Sequence, residues 1–409
     1  MAPLPRNPRY ESLDMWRGVA CLSVVVFHSL SGYIATPALI QRVRADGGTI
    51  AEWIVLLSTY MWMGVPLFFV ISGYCITAAA DSARRKPHPG LTFFWRRFRR
   101  IYPPLWAYLA IATIVVALLP ESLMPGPTHD YKQPLPRPWD LKPAQWFGSI
   151  TLTEEWREHI GGPPKRYFTG QLWTLCYEEQ FYLLVGLIVM VARQWLFPLV
   201  SLITMLVFLN MIDLNTLAGA RLEINLNAYQ LHYPGFFFDG LWLAFAAGIG
   251  VYYRLNYATP LLNRCIDAML LIGLFFAISP VPSIWELKQD VPGYLCVAFV
   301  GALLLGWLHS SDGTFMKARV AAPLRWAGQM CYSLYLVHGP VALFVQASLF
   351  RLGVTTPLEG LLITLPVSMA ASLALGWVFH CKVERRFLNS PLAPTPSGFA
   401  ANAQEVKPV

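Results

Sequence analysis

A guanidinium and an imidazole eleven residues apart in one apolar stretch are the first groups in this sequence that could do chemistry. The stretch is Leu13 to Tyr33, LDMWRGVACLSVVVFHSLSGY, and it carries Asp14, Arg17 and His28. At about 100° per helical residue, eleven steps make three turns plus roughly 20°, so Arg17 and His28 share a face about 16 Å apart along the axis. Asp14 lies on nearly the same face, one turn before Arg17. An anion, a cation and an imidazole on one stripe of an apolar helix face the bundle interior or a watery cavity, where such residues mark substrate paths and proton relays. An interfacial Asp14–Arg17 pair with a hydrogen-bonded core histidine accounts for the same residues, and this helix alone does not separate the two.

Further polar islands lie along the chain. In Leu172–Leu184, LWTLCYEEQFYLL, Glu178 and Glu179 fall inside an apolar span. They are roughly 13 Å deep where His28 is roughly 8 Å deep, which puts all three in the same half of a bilayer. A carboxylate beside an imidazole orients it and tunes its basicity. The two glutamates point about 100° apart, so at most one meets His28; a structural ion pair is the alternative. Phe93–Pro104, FFWRRFRRIYPP, brings Arg97 and Arg100 onto one face at i,i+3. Guanidiniums fit phosphate oxygens as a fork, which suggests a phosphate-bearing ligand, although arginines at a span entry also serve as plain anchors. Gly328–Pro340, GQMCYSLYLVHGP, sets His338 near the middle of a span, and Gly64, Ser72 and Gly73 in MGVPLFFVISGYCIT permit close helix approach. Glu384 among Lys382, Arg385 and Arg386 reads as ordinary anchoring.

The elements that must carry these residues are membrane helices. Of 409 residues 56% are hydrophobic and 13% charged, with mean hydropathy +0.46, where soluble proteins hold about 25% charged residues. The net charge of +8 sits between apolar spans, as topology determinants do, and this argues against nucleic-acid binding. Cys21, Cys75, Cys176, Cys265, Cys296, Cys331 and Cys381 show no CxxC spacing, so neither a zinc site nor a disulfide framework is indicated. The first span carries charges and no small-x-small cleavage pattern, which makes it a retained helix rather than a signal peptide. Ten spans of about 20 residues emerge, near 13–33, 52–80, 100–119, 170–192, 195–213, 234–253, 262–280, 292–309, 328–351 and 357–381. With the N-terminus inside, 19 Lys and Arg fall on one side and 11 on the other, so both termini are expected in the cytoplasm. The fold class is an all-α integral membrane bundle of about ten helices over residues 1–387. Residues 388–409 form a tail read as disordered. The one long loop, 121–169, is placed outside; its prolines and Trp139, Trp146, Phe147 and Trp156 suit either a sugar site or a cap on the bundle.

Taken together and in order, these islands resemble the acyltransferase-3 family of integral membrane acyltransferases. LDMWRGVACLSVVVFH fits the family's LDxxRGxA start and its Arg-x10-His spacing, and GVPLFFVISGY resembles GVDLFFVLSGF. RRFRRIYP fits RRxxRIxP, WTLCYEEQFYLL fits WSLxxExQFYLL, and CYSLYLVHGPV fits SYSLYLxHxPV. The resemblance implies His28 as catalytic base or transient acyl carrier, with Glu178 orienting it. It implies Arg17, Arg97 and Arg100 toward an acyl-coenzyme A donor, most simply acetyl-CoA, on the cytoplasmic side. Asp14, Trp173, Glu179, Tyr335 and His338 would line the cavity. Pro66 stands where an Asp is frequent, so no role of that acid carries over. The fused esterase-like domain of some relatives is not expected here. The implied protein is a multi-pass enzyme of a bacterial inner membrane that needs no metal, with a carbohydrate or glycolipid hydroxyl as acceptor. A glycolipid transporter or flippase is the competing class, though the internal repeat and matched broken helices common in transporters are not seen.

Overall fold

A computed structural model describes residues 10–126, 135–211, 235–278 and 291–388. In chain order the helices are α1 (Leu13–Leu30), α2 (Pro37–Asp46), α3 (Ile50–Ser58), α4 (Gly64–Ala83), α5 (Pro89–Leu118), α6 (Pro143–Thr151), α7 (Glu154–Arg157) and α8 (Trp173–Val191). They continue with α9 (Leu196–Met211), α10 (Leu241–Asn256), α11 (Pro260–Ile278), α12 (Val291–Leu308), α13 (Asp312–Lys317), α14 (Ala321–Gln329), α15 (Cys331–Arg351) and α16 (Leu365–Lys382). No strand occurs among the described residues, and nine helical stretches there are long and apolar enough to cross a bilayer. The protein is an all-α integral membrane bundle. The tenth expected span, 234–253, is α10, which at 16 residues is about 24 Å long. It is clad by its neighbours: Trp242, Ala244, Phe245 and Val251 are fully enclosed, as expected of a helix that is apolar all round. The tail from residue 389 on, with its expected disorder, and Arg6 and Arg9 lie outside the described residues.

Three local readings change. The second span is two helices: α3 ends at Ser58, a 3-10 turn covers Met61–Met63, and α4 starts at Gly64. Pro66 therefore falls in the first turn of α4, where a backbone N–H has no helical partner to lose. The third span starts at Pro89 rather than near residue 100, so its arginines lie two to three turns inside a helix and not at its entry. The long loop does not lie wholly outside the bundle. Arg137 donates to the Leu119 carbonyl (2.7 Å) at the end of α5, while Trp106 Nε1 donates to Ile150 O (3.0 Å) and Tyr102 OH to Thr151 O (3.4 Å). Tyr102 and Leu119 are about 25 Å apart along α5, so α6 descends beside that helix and packs into the bundle. Buried Arg157 then pairs with buried Glu154 (2.9 Å), whose carboxyl burial still pushes up, and Lys165 pairs with Glu155 (2.9 Å).

Two helix crossings fix the functional side chains. A Cβ on Gly18 would lie 1.8 Å from Leu324 O and one on Gly328 1.7 Å from Asp14 O, so α1 and α14 touch backbone to backbone next to Arg17. In the same way a Cβ on Gly73 would lie 2.0 Å from Phe245 O and one on Gly248 1.9 Å from Val70 O. That seats α4, with Ser72 and Cys75, against α10. At the basic end of the bundle, fully buried Asp81 accepts from Arg84 Nε (2.6 Å), Arg85 (2.8 Å) and Tyr252 OH (2.8 Å). The charges there are paired, as burial requires.

Candidate active site

Helices α5 and α8 run antiparallel in a fixed register. Gly90 meets Met190, Gly186 meets Phe94, Arg97 lies over the Tyr182 ring (5.4 Å), and Tyr108 OH accepts from Gln171 Nε2 (3.0 Å). This register sets the arginines of α5 opposite the glutamates of α8. Between them, bounded also by α1, α4 and α15, is a cavity of about 110 Å³. Arg17, Arg97 and Arg100 are on its wall, as are Glu178 and Tyr335, so five of the residues singled out in the sequence meet in one space. Arg17 NH1 holds Asp14 at 2.6 Å and its NH2 donates to Cys75 Sγ at 2.9 Å. Ser72 hydrogen-bonds the Tyr182 hydroxyl (3.0 Å), which donates to Glu178 Oε2 (2.7 Å). Arg97 and Arg100 are cationic neighbours of that carboxylate.

The remaining candidates lie around this space. Asp14 stays at the basic-end start of α1, tied to Arg17. Trp173 turns toward Tyr177 (6.0 Å) and Tyr294 (6.2 Å), and Glu179 takes the other side of α8, next to Tyr102. The Glu178–His28 pair expected from the sequence is replaced. Glu178 belongs to Tyr182 and the arginines, while the ring of His28 stands 4.9 Å from Phe27 and 5.3 Å from His338. The reason is depth: the α5/α8 register sets Glu178 at the level of Arg97, whereas His28 is three turns along α1 from Arg17.

His338 comes to His28 through a loosened turn of α15. Pro340 lacks an N–H, so the Leu336 carbonyl has no helical donor; it accepts instead from Gln171 Nε2 at 2.7 Å. The His338 Nδ1 lies 3.0 Å from Leu334 O and 2.8 Å from Tyr335 O. The Tyr335 hydroxyl donates to Gln171 O and accepts from Thr174 Oγ1 (2.7 Å). With Val24 it closes the cavity one turn before the two histidines. The sequence reads Ser72 only as a helix-packing residue and gives no site role to Cys75, Thr174, Gln171 or Tyr182. Tyr182 was within reach, being i+4 from Glu178, the spacing at which helical side chains meet. The others signal nothing in one dimension.

A family model described as an acyltransferase domain matches residues 10–381. The chain belongs to the acyltransferase-3 family. Among its relatives is a peptidoglycan O-acetyltransferase, OatA, of Listeria monocytogenes, 24% identical over 95% of this chain and 57% of the relative. The O-acetyltransferase OatA of Staphylococcus aureus is 23% identical over 83% of this chain and 52% of the relative. A putative peptidoglycan O-acetyltransferase, YrhL, of Bacillus subtilis is 26% identical over 82% of this chain and 49% of the relative. This acyltransferase-3 chain thus spans about half the length of the curated relatives it matches. No solved structure matches it.

Proposed function

We propose that this chain is a membrane-embedded O-acyltransferase that moves an acyl group, most simply acetyl, from acyl-CoA to a hydroxyl of a carbohydrate or glycolipid on the opposite side of a bacterial cytoplasmic membrane. The observation that carries this reading is one cavity that gathers Arg17, Arg97 and Arg100 from two helices and stops one turn short of a histidine pair. Three guanidiniums suit a polyphosphate head. The run of about 16 Å from Arg17 to His28 suits a thin arm that ends in a thioester. Thioester passage then requires the Tyr335–Thr174 contact to open. His28 accepts the proton of the acceptor hydroxyl as its oxygen attacks the acyl carbon. The carbon–sulfur bond breaks, and the leaving thiolate takes up a proton as free CoA. Acyl transfer through His28 reaches the same products in two steps. Glu178 acts on the arginines rather than on His28. Both termini face the cytoplasm in this scheme. The names of the relatives favour a peptidoglycan hydroxyl as first acceptor to try, ahead of exopolysaccharide or O-antigen.

The test uses purified protein in nanodiscs with acetyl-CoA and a peptidoglycan fragment. Thiol release coupled to acetylated glycan supports the reading, and loss of both in His28→Ala assigns the base. Full activity in that variant removes His28 from the mechanism. Glycan movement without thiol release makes the protein a carrier.

A further inference from the structure

Two carbonyl oxygens share the Nδ1 edge of His338, Leu334 O at 3.0 Å and Tyr335 O at 2.8 Å. Carbonyls only accept, so Nδ1 carries the hydrogen and the neutral ring must present a lone pair at Nε2. That edge points away from its own helix into the bundle. The residue is 1% exposed, and Nε2 has no hydrogen-bond partner among the described residues. A buried acceptor left so is costly unless something uses it. The ring of His28 stands 5.3 Å away between centroids, inclined at 49°, near enough that a small turn of either ring would bring the two imidazoles to one N–H···N bond of about 3 Å.

We propose that His338 is the positioning residue of the acyl-transfer base: its Nε2 accepts a ring N–H of His28, which fixes the tautomer in which His28 takes the proton of the acceptor hydroxyl. The inference rests on the reading of His28 as the base. It gives His338 the part that a carboxylate plays in a serine hydrolase, where the residue behind the imidazole sets its tautomer and steadies the imidazolium. Here the partner is neutral, which suits a site within the membrane where a further charge would be expensive. The loosened turn at Pro340 belongs to the same device: its freed Leu336 carbonyl accepts from Gln171 of the loop before α8, next in the chain to the two carbonyls that hold Nδ1.

The experiment compares His338→Leu, His338→Gln and His28→Ala in nanodiscs, with kcat and both KM values for acetyl-CoA and glycan. The leucine variant should lose about 100-fold or more in kcat with both KM values within about twofold of the parent. Glutamine, whose Oε1 can accept near the place of Nε2, should recover about tenfold of that loss. A leucine variant that keeps its kcat, or a glutamine variant no better than leucine, overturns the proposal. Thermal melts accompany each variant, and His338→Met takes the place of leucine if the latter does not fold. Activity retained in His28→Ala is a different failure: it removes the base itself, whatever His338 does.

Discussion

Arg97→Ala tests the proposed donor end of the cavity most directly. A hydrogen bond to a charged group contributes about 1.5–3 kcal/mol. At about 1.36 kcal/mol per factor of ten, one lost phosphate contact raises the donor KM by about 10- to 150-fold. The lower figure applies here, because Arg97 already lies 5.4 Å over the Tyr182 ring and beside Glu178, and gives up part of both to grip a phosphate. Initial rates at varied acetyl-CoA and saturating glycan should therefore show a rise of about tenfold in donor KM, with kcat and acceptor KM unchanged. Arg97→Lys keeps the charge without the fork and should recover part of the loss. Glu178→Gln removes a carboxylate from the same cavity and should lower the donor KM, since the phosphates no longer face a like charge. Unchanged donor KM in Arg97→Ala refutes the phosphate role, and a fall in kcat at constant donor KM in Glu178→Gln would return that acid to the service of His28.

Further outcomes follow from single contacts. Cys75 lines the cavity and accepts from Arg17, so N-ethylmaleimide should inactivate the enzyme and CoA should protect it. Equal inactivation with and without CoA would separate the cavity from the donor. Gly73→Ala puts a methyl 2.0 Å from Phe245 O, and prying α4 from α10 should cost about 1–3 kcal/mol. A thermal melt of the purified variant equal to the parent's would contradict that crossing. Lys86→Cys, between α4 and α5, should label from the cytoplasmic face alone in intact cells, and labelling from outside would invert the topology.

Much of the site was legible because its signals are local. Arg17 and His28 share a face of one helix by periodicity, and Arg97 and Arg100 share another, so each pair needs no partner to be placed. Hydropathy nonetheless sets the arginines at the rim, because the roughly three turns from Pro89 to Arg100 hold four arginines and are too polar to read as part of a span. Hydropathy also measures depth from the apolar start of each span, and that measure pairs Glu178 with His28. The α5/α8 register, which decides its actual neighbours, depends on Gly90 and Gly186 finding Met190 and Phe94, contacts with no trace in either helix alone. The descent of α6 along α5 hangs on Arg137, Trp106 and Tyr102, and loops of that length carry no periodic signal.

Composition and hydropathy by themselves determined that the chain is an all-helical membrane bundle, since a backbone in lipid must satisfy its own hydrogen bonds and helices do so locally. They also determined which side chains share a helix face. Tertiary structure decided which faces meet: that the arginines, Glu178 and Cys75 enclose one cavity, and that His28 stands beside His338 and not beside Glu178. The difference is physical. Turn-to-turn geometry repeats along every helix, whereas the depth at which two helices lock is set by a few small residues and one proline far apart in the chain.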